Sequence, residues 1–247
     1  MKSDLEILEQ RLLKTKDSAR AKILSHFFKT GVGEYGEGDI FLGIVVGKSR
    51  SIAKEFSILP LTDVQKLLNS PWHEFRLVAL LILIEKYNEL NKNIKTGKRV
   101  IVNKKLIDQL IKFYLKNLKN INNWDLVDLS CSYLLGSYLF NKDRKVLYKL
   151  AQAKSMWSRR IAIVSTYYFI KNNDLDDTFK LAEILLNNRE DLMHKAVGWM
   201  LREAGKRDKT RLEKFINKYI KIIPRTTLRY AIEKFPEDQR QKLLKIK

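Results

Sequence analysis

The spacing of apolar residues is the feature that most constrains the fold of this chain of 247 residues. Apolar residues recur at intervals of three and four along almost the whole sequence, and no stretch shows the sustained alternation of a half-buried β-strand. Residues three and four apart lie on one face of an α-helix. Only four prolines interrupt the pattern. The sequence therefore predicts an all-α protein.

Two helix boundaries can be placed from the sequence. Ser70 and Pro71 precede a very apolar segment, and they suit the N-cap and the first helical position. We therefore expect a helix that continues from Trp72 to Tyr87 and is buried on most sides, followed by a polar connector over residues 88–99. A second helix is expected from Trp124 to about Phe140.

A short pattern recurs near the beginning of four expected helices: a charged residue, a mostly apolar pair and a small residue. The four copies are Arg76–Ala79, Asp125–Asp128, Arg159–Ala162 and Lys195–Gly198. Two-helix repeats of about 35 to 47 residues are typical of α-solenoids. We therefore expect an α-solenoid of HEAT-like two-helix repeats with a concave basic groove. It would form a single domain, residues 1–247, with N-terminal helices in residues 1–30 and a glycine-rich loop, residues 31–43, leading into the repeats.

The charge of the chain points to a polyanionic partner. Lysine and arginine number 48 against 28 aspartate and glutamate residues, which gives a formal net charge of +20. Nucleic acid is the first interpretation and an anionic membrane the second. The alternative is a solvated, lysine-rich surface without a binding role.

Several protein classes are disfavoured by the residues present. Cys131 is the single cysteine, which excludes a disulfide framework and a thiolate metal site. His26, His73 and His194 stand in separate elements, so we expect no metal and no cofactor. No apolar run approaches the roughly 18 residues of a membrane span, and the N-terminus lacks a signal-peptide pattern. These features favour a cytoplasmic protein that makes no membrane contact. No coiled-coil pattern and no single large exposed apolar face stands out, so we expect a monomer.

The glycine-rich loop leaves two interpretations open. It lacks the Gly-Lys-Ser/Thr sequence of a phosphate-binding P-loop. It is either a mobile connector between helices or, as is common for long loops, a functional segment in which Tyr35 reaches a ligand.

The strongest candidate site begins with Trp124 and Asp128. They are four residues apart, which places an indole and a carboxylate on one helical face. Asp128 also stands where the other copies of the repeat pattern have alanine or glycine, and such departures from a local rule cluster at functional sites. Later repeats would add to the same groove Arg159, Arg160, Trp199 and Arg202. The alternative is that each tryptophan is a core residue.

A carboxylate in a phosphate-binding groove suits a reaction in which positive charge develops. Loss of an alkylated purine from DNA is such a reaction, because alkylation makes the base a cationic leaving group and the sugar passes through an oxocarbenium-like state. Asp128 would stabilise that state by electrostatics, without a metal or a cofactor.

Five motifs resemble those of the DNA alkylation repair family, the HEAT-like-repeat DNA glycosylases of the AlkD type. They are Phe41-Leu42-Gly43-Ile44, Trp124-Asp125-x-x-Asp128, Trp157-x-x-Arg160-x-Ala162-Ile163, Lys195-Ala196-x-Gly198-Trp199-x-Leu201-Arg202-Glu203 and Pro224-Arg225-Thr226-Thr227-Leu228-Arg229-Tyr230-Ala231. The resemblance implies excision of N3- and N7-alkylated purines from double-stranded DNA, without flipping of the base into a pocket. It implies Asp128 as the catalytic carboxylate, Trp124 and Trp199 as aromatic walls, Arg160 beside a phosphate, and Tyr35 as a further lesion contact.

Two features depart from the AlkD type. Asn123 stands where many members have a second tryptophan, and the glycine-rich loop is unusual for that type. Some subgroups of the superfamily bind DNA without detectable excision. The alternative hypothesis is therefore a non-catalytic solenoid that recognises damaged or branched DNA, and a third is a protein-interaction scaffold.

Overall fold

The computed structural model describes residues 2–246, which form helices joined by turns. This part of the chain contains no strand and has one isolated β-bridge, between Ile40 and Trp72. The prediction of an all-α fold is confirmed. The chain divides into two compact units, which meet in the sequence between Ser130 and Cys131 and are called unit 1 and unit 2.

The helices of unit 1 come before Ser130. They are α1 (Asp4–Lys14), α2 (Ser18–Phe27), α3 (Val46–Glu55), α4 (Leu61–Leu68), α5 (His73–Lys95), α6 (Val100–Lys116) and α7 (Trp124–Asp128), with a 3₁₀ turn at Leu118–Asn120.

The helices of unit 2 follow Cys131. They are a π-helix (Ser132–Gly136), α8 (Ser137–Leu139), α9 (Lys145–Ala151), α10 (Met156–Ser165), α11 (Tyr167–Lys171), α12 (Asp176–Leu185), α13 (Asp191–Gly205), α14 (Lys209–Tyr219), α15 (Arg225–Ala231) and α16 (Glu237–Lys245).

Helix α5 is the core of unit 1 and packs against α1, α3, α4, α6 and α7. Its first half is apolar on nearly every side and is buried, as a central helix must be. Its boundaries differ from the prediction at both ends. Ile40 N donates to Pro71 O at 3.3 Å and His73 N donates to Ile40 O at 2.8 Å, so this bridge holds the expected first turn outside the helix. At the other end, the residues expected to form a connector continue the helix to Lys95.

The expected helix from Trp124 to Phe140 is interrupted after α7. The Ser130 hydroxyl donates to Leu126 O at 2.6 Å, which is the acceptor that Ser130 N would use in a continuous α-helix. Ser130 N donates to Val127 O at 3.1 Å instead. A turn at residues 129 and 130 therefore interrupts the helix, and helical structure resumes with the π-helix that begins at Ser132.

Helix α13 has the same central position in unit 2, where it packs against α10, α12, α14 and α15. Gly198 permits the close approach of α15, since a Cβ atom there would lie 2.5 Å from Tyr230 Cβ and 2.7 Å from Thr227 O. Ala79 and Ala162, the equivalent small residues of the repeat pattern, are fully buried, whereas Asp128 is half-buried.

Helices pair with their neighbours in both units, for example α5 with α6 and α9 with α10, which is consistent with an α-solenoid of two-helix repeats. The concave basic groove and the single-domain organisation stay predictions. No helix within residues 2–246 has the length and apolarity that crossing a membrane requires.

Candidate functional site

Unit 1 contains a pocket of about 430 Å³, a volume typical of ligand-binding pockets. Side chains of α2, α5, α7 and the segment 41–46 line it. Four aromatic rings contribute to its wall, from Phe27, Phe28, Phe41 and Trp124. The polar side chains at the pocket are Arg20, His73, Glu74, Asp125 and Asp128.

Trp124 and Asp128 lie together at this pocket, as their spacing predicts. Both are half-buried and both line the pocket. The Trp124 ring stacks on Phe28, with the centroids 5.0 Å apart and the planes 15° apart. Phe27 meets the indole edge-on at 6.0 Å and is 60% exposed. The indole is therefore held in place by two aromatic neighbours.

A buried hydrogen-bond network lies next to α7. His73 Nδ1 is 2.9 Å from Asp39 Oδ2, and His73 Nε2 is 2.8 Å from Asp125 Oδ2. Arg76 forms an ion pair with Asp39, and Asn123 Nδ2 donates to Asp39 Oδ2 at 2.9 Å. All five side chains are buried. The network joins the glycine-rich loop, the start of α5 and the start of α7.

The two carboxylates determine the charge of His73. Burial opposes the charged ring, but hydrogen bonds and charge–charge attraction from Asp125 and Asp39 outweigh it and raise the pKa of His73 from 6.5 to about 9. Burial likewise favours the neutral form of Asp39, but His73, Arg76 and Asn123 lower the pKa of Asp39 below 3.8. The network is thus charged at neutral pH, with cations facing anions.

The raised pKa of His73 predicts that the protein loses stability as the pH rises. The stabilisation is fully present below pH 6.5, the ordinary value, and is lost as the pH rises through about 9. At 1.36 kcal/mol per pKa unit, we expect the free energy of unfolding to fall by about 3 kcal/mol over this range. Urea unfolding at several pH values across this range measures the free energy of unfolding, and the His73→Gln protein should lack most of its dependence on pH. An equal pH dependence in both proteins would show that His73 is not its cause.

Glu74 fixes the segment 41–44 at the pocket. Its buried carboxylate accepts hydrogen bonds from three consecutive backbone N–H groups, those of Leu42, Gly43 and Ile44, at 2.8 to 3.1 Å. Gly43 has a φ of +86°, and a Cβ atom there would lie 2.2 Å from Asp17 O. The glycine thus permits the close approach of α2, and Glu74 orients the backbone that carries Phe41.

The glycine-rich loop is anchored by hydrogen bonds of residues that follow Tyr35. Gly36 N donates to Lys29 O at 3.0 Å, and Asp39 takes part in the buried network. Tyr35 is half-buried, and its hydroxyl donates to Phe27 O at 3.4 Å. Tyr35 is not among the side chains that line the pocket. The loop is therefore integrated into unit 1, and the role of Tyr35 at a lesion stays a prediction.

The other predicted site residues lie in unit 2. Arg160 is buried and donates to Leu192 O. Arg159 forms an ion pair with Glu190, and Arg202 forms ion pairs with Glu203 and Glu233. Trp199 is half-buried, 5.7 Å from the Tyr167 ring. Intramolecular acceptors therefore orient all three guanidinium groups, and their part in a common groove with Trp124 and Asp128 stays a prediction.

Phe27, Arg20 and the buried network were not predicted from the sequence. The sequence signal for Phe27 was the adjacent pair Phe27-Phe28, whereas the cluster that Phe28 forms with Phe41 follows from the fold. The network gave no such signal, since His73 is separated from Asp39 and Asp125 by 34 and 52 residues. No group of three or more His, Cys, Asp or Glu side chains in the described chain is arranged to hold a metal ion.

Comparisons with known proteins agree with this fold. A solved structure described as a predicted DNA alkylation repair enzyme from Enterococcus faecalis resembles the chain with a TM-score of 0.63 at 16% identity. The match covers 90% of this chain and 97% of that one, and at this identity it establishes the fold alone. Comparison with curated proteins gave no significant match. Residues 8–235 match the model of a family described as DNA alkylation repair enzyme. This match spans most of both units, and the chain belongs to the DNA alkylation repair enzyme family.

Proposed function

We propose that the protein is a monofunctional DNA glycosylase that hydrolyses the N-glycosidic bond of cationic N3- or N7-alkylated purines in double-stranded DNA. Family membership supports a role in DNA repair. The proposal of glycosylase chemistry is supported by the position of Asp128, a half-buried carboxylate beside Trp124 at an aromatic-walled pocket. The proposed enzyme is a cytoplasmic monomer that uses no metal and no cofactor.

The chemistry needs one negative charge at the sugar. An alkylated purine is already cationic, so it leaves without a general acid and the deoxyribose ring takes up positive charge. A carboxylate about 4 Å from that charge stabilises it by roughly 4 kcal/mol at an effective dielectric constant near 20. This corresponds to about three powers of ten in rate. Asp128 would also orient the attacking water.

The aromatic wall supplies a second, weaker stabilisation. A ring face near a cation contributes roughly 0.5 to 2 kcal/mol. Trp124 suits this role because its contacts with Phe28 and Phe27 fix the indole before DNA binds. A wall that is already in place does not have to be ordered on binding, which preserves more of the interaction for the transition state.

Unit 2 contributes to DNA binding in this proposal. Arg160 lies beside a phosphate and Trp199 beside the sugar and backbone, while Arg159 and Arg202 add positive potential. The ion pairs of Arg159 with Glu190 and of Arg202 with Glu233 reduce the net charge that each presents. We therefore assign more of the binding energy to the overall charge of +20 than to these two arginines.

The second candidate is a non-catalytic protein that binds damaged or branched DNA. It is favoured by Tyr35, which does not line the pocket, and by Asn123, which bonds to Asp39 where many AlkD-type relatives have a tryptophan. In that case the pocket and Asp128 would have no reacting bond to act upon, and changes at Trp124, Asp128 or Trp199 would alter affinity only.

Release of free base from duplex DNA that carries N7-methylguanine distinguishes the two. We expect free N7-methylguanine and an abasic strand that breaks only after alkali, since a monofunctional glycosylase leaves the backbone intact. An undamaged duplex of the same sequence is the control for release, and binding at about 50 and 200 mM salt measures the electrostatic contribution. Tight, salt-sensitive binding without any release would favour the second candidate.

A further inference from the structure

Helix α7 carries Trp124 and Asp128 but is only five residues long. A helix this short is not stable by itself, so its position depends on tertiary contacts. Two of these contacts are made by the residues that flank Trp124 in the sequence, Asn123 and Asp125. Asn123 Nδ2 donates to Asp39 Oδ2 at 2.9 Å, and Asp125 Oδ2 lies 2.8 Å from His73 Nε2.

His73 joins the two contacts. Its Nδ1 lies 2.9 Å from Asp39, the acceptor of Asn123, and its Nε2 meets Asp125 directly. The ring is 1% exposed and stacks on Phe41 at 4.4 Å, so it has little freedom to turn away from either carboxylate. The imidazole therefore contacts Asp125 directly and is linked to Asn123 through Asp39, which Arg76 also holds.

Two ionised carboxylates, one at each ring nitrogen, favour a doubly protonated ring. A carboxylate can only accept hydrogen bonds, and a neutral imidazole has a single N–H. In the neutral form one ring nitrogen would point a lone pair at a carboxylate oxygen less than 3 Å away, inside the protein. The imidazolium form donates to both carboxylates.

We infer that His73 is a positioning residue for the proposed excision reaction: as an imidazolium it holds α7, and with it Trp124 and Asp128, in the working arrangement. The expected effect of His73 on base release rests on the proposed function. The expected effect of His73 on the position of α7 does not depend on the proposed function.

The two carboxylates respond differently when His73 loses its proton. Asp39, on the loop, keeps its ion pair with Arg76 and its hydrogen bond from Asn123. Asp125, on α7, has His73 as its cationic partner in the network, and its other oxygen accepts from Leu126 N. Glu74 is the charged residue next to His73 on α5. Its carboxylate accepts hydrogen bonds from the backbone N–H groups of residues 42–44. The neutral ring keeps one N–H that can still donate to Asp125, but Asp125 then loses the positive charge facing it, so deprotonation weakens the network on the side of α7.

The test is a pH titration of the full-length protein by ¹⁵N NMR, from about pH 6 to pH 10. It follows the ring nitrogens of His73, assigned by their loss in His73→Gln, and the indole N–H of Trp124, assigned by its loss in Trp124→Phe. Single-turnover release of N7-methylguanine is measured at the same pH values with DNA saturated by protein, so that weaker binding does not affect the rate. Incubations without protein correct for spontaneous chemical loss of the lesion.

We expect both His73 nitrogens to be protonated at neutral pH and to titrate near pH 9. The Trp124 indole signal should move with the same midpoint, and base release should fall about 10- to 100-fold across it, as a displaced catalytic group implies. A neutral His73 at neutral pH would overturn the inference. So would a charged His73 whose deprotonation leaves Trp124 and base release unchanged.

A variant of Asp125 provides an independent measurement. Asp125→Asn removes the carboxylate that contributes most to the raised His73 pKa, so the His73 midpoint and the alkaline fall in release should both move to lower pH by the same amount. Asp63→Asn, on α4 and outside the network, is the matched control. If the midpoint of the His73 titration and the midpoint of the fall in base release move by different amounts, the inference is overturned. If Asp125→Asn does not fold, the wild-type titration decides alone.

Failure of the proposed function gives a different result. If His73 and Trp124 titrate together but no base is released at any pH, the positioning of α7 by His73 stands and the glycosylase proposal falls. If base is released at a rate that does not follow the His73 titration, the glycosylase proposal stands and the role of His73 falls.

Discussion

Asp128→Asn is expected to slow the single-turnover release of N7-methylguanine about a thousandfold, while DNA binding stays equal or becomes tighter. Asparagine keeps the shape of the side chain but removes the charge that would stabilise the sugar cation. In the ground state of the proposed complex with DNA, the same charge would repel the phosphates. Its removal should therefore raise the barrier of the reaction without weakening the complex.

The measurement pairs release rates with binding affinity on the same alkylated duplex. Asp63→Asn is the matched control, because it makes the same chemical change at an aspartate of α4 that does not line the pocket. Release at the wild-type rate by Asp128→Asn would show that another residue stabilises the transition state. A large loss of DNA affinity would refute the electrostatic role, since it would place Asp128 in a binding contact.

The helices and the common helical face of Trp124 and Asp128 in the candidate site could be predicted because both follow from local spacing. The periodicity of three and four predicts α5 and α13, and the interval of four places Trp124 and Asp128 on one face. The structure adds what the spacing does not contain, namely the two phenylalanines that hold the indole.

The buried network could not be predicted because it depends on contacts between distant parts of the chain. The sequence shows His73 as a single histidine without a partner at helical spacing. Its partners Asp39 and Asp125 come from a loop and from another helix, and only the fold brings them within 3 Å.

Helix boundaries were also decided by tertiary contacts. Ser70 and Pro71 have the residue types of a helix start, yet Pro71 O accepts from Ile40 N in the bridge and α5 begins at His73. A local preference of about 1 kcal/mol is easily outweighed by such backbone hydrogen bonds and the burial that accompanies them. The result brings His73 and Glu74 to the first turn of α5, at the pocket.

Glu74→Gln is expected to lower the free energy of unfolding by about 3 to 5 kcal/mol. The carboxylate accepts from three N–H groups, with Oε2 facing Leu42 N and Oε1 facing Gly43 N and Ile44 N. Glutamine has one oxygen, so its NH₂ group must face at least one of these donors. That donor is left unsatisfied in a buried site, and the remaining hydrogen bonds lose the negative charge that strengthens them.

Urea unfolding followed by circular dichroism measures this loss, and Glu89→Gln is the matched control because Glu89 lies on the same helix and is exposed. The control should change little, since surface substitutions outside special contacts usually do. A loss below about 1 kcal/mol in Glu74→Gln would mean that the segment 41–44 keeps its place without the carboxylate. The expected larger loss of unfolding free energy in Glu74→Gln would show that Glu74 stabilises the backbone segment whose residues Phe41 and Ile44 line the pocket.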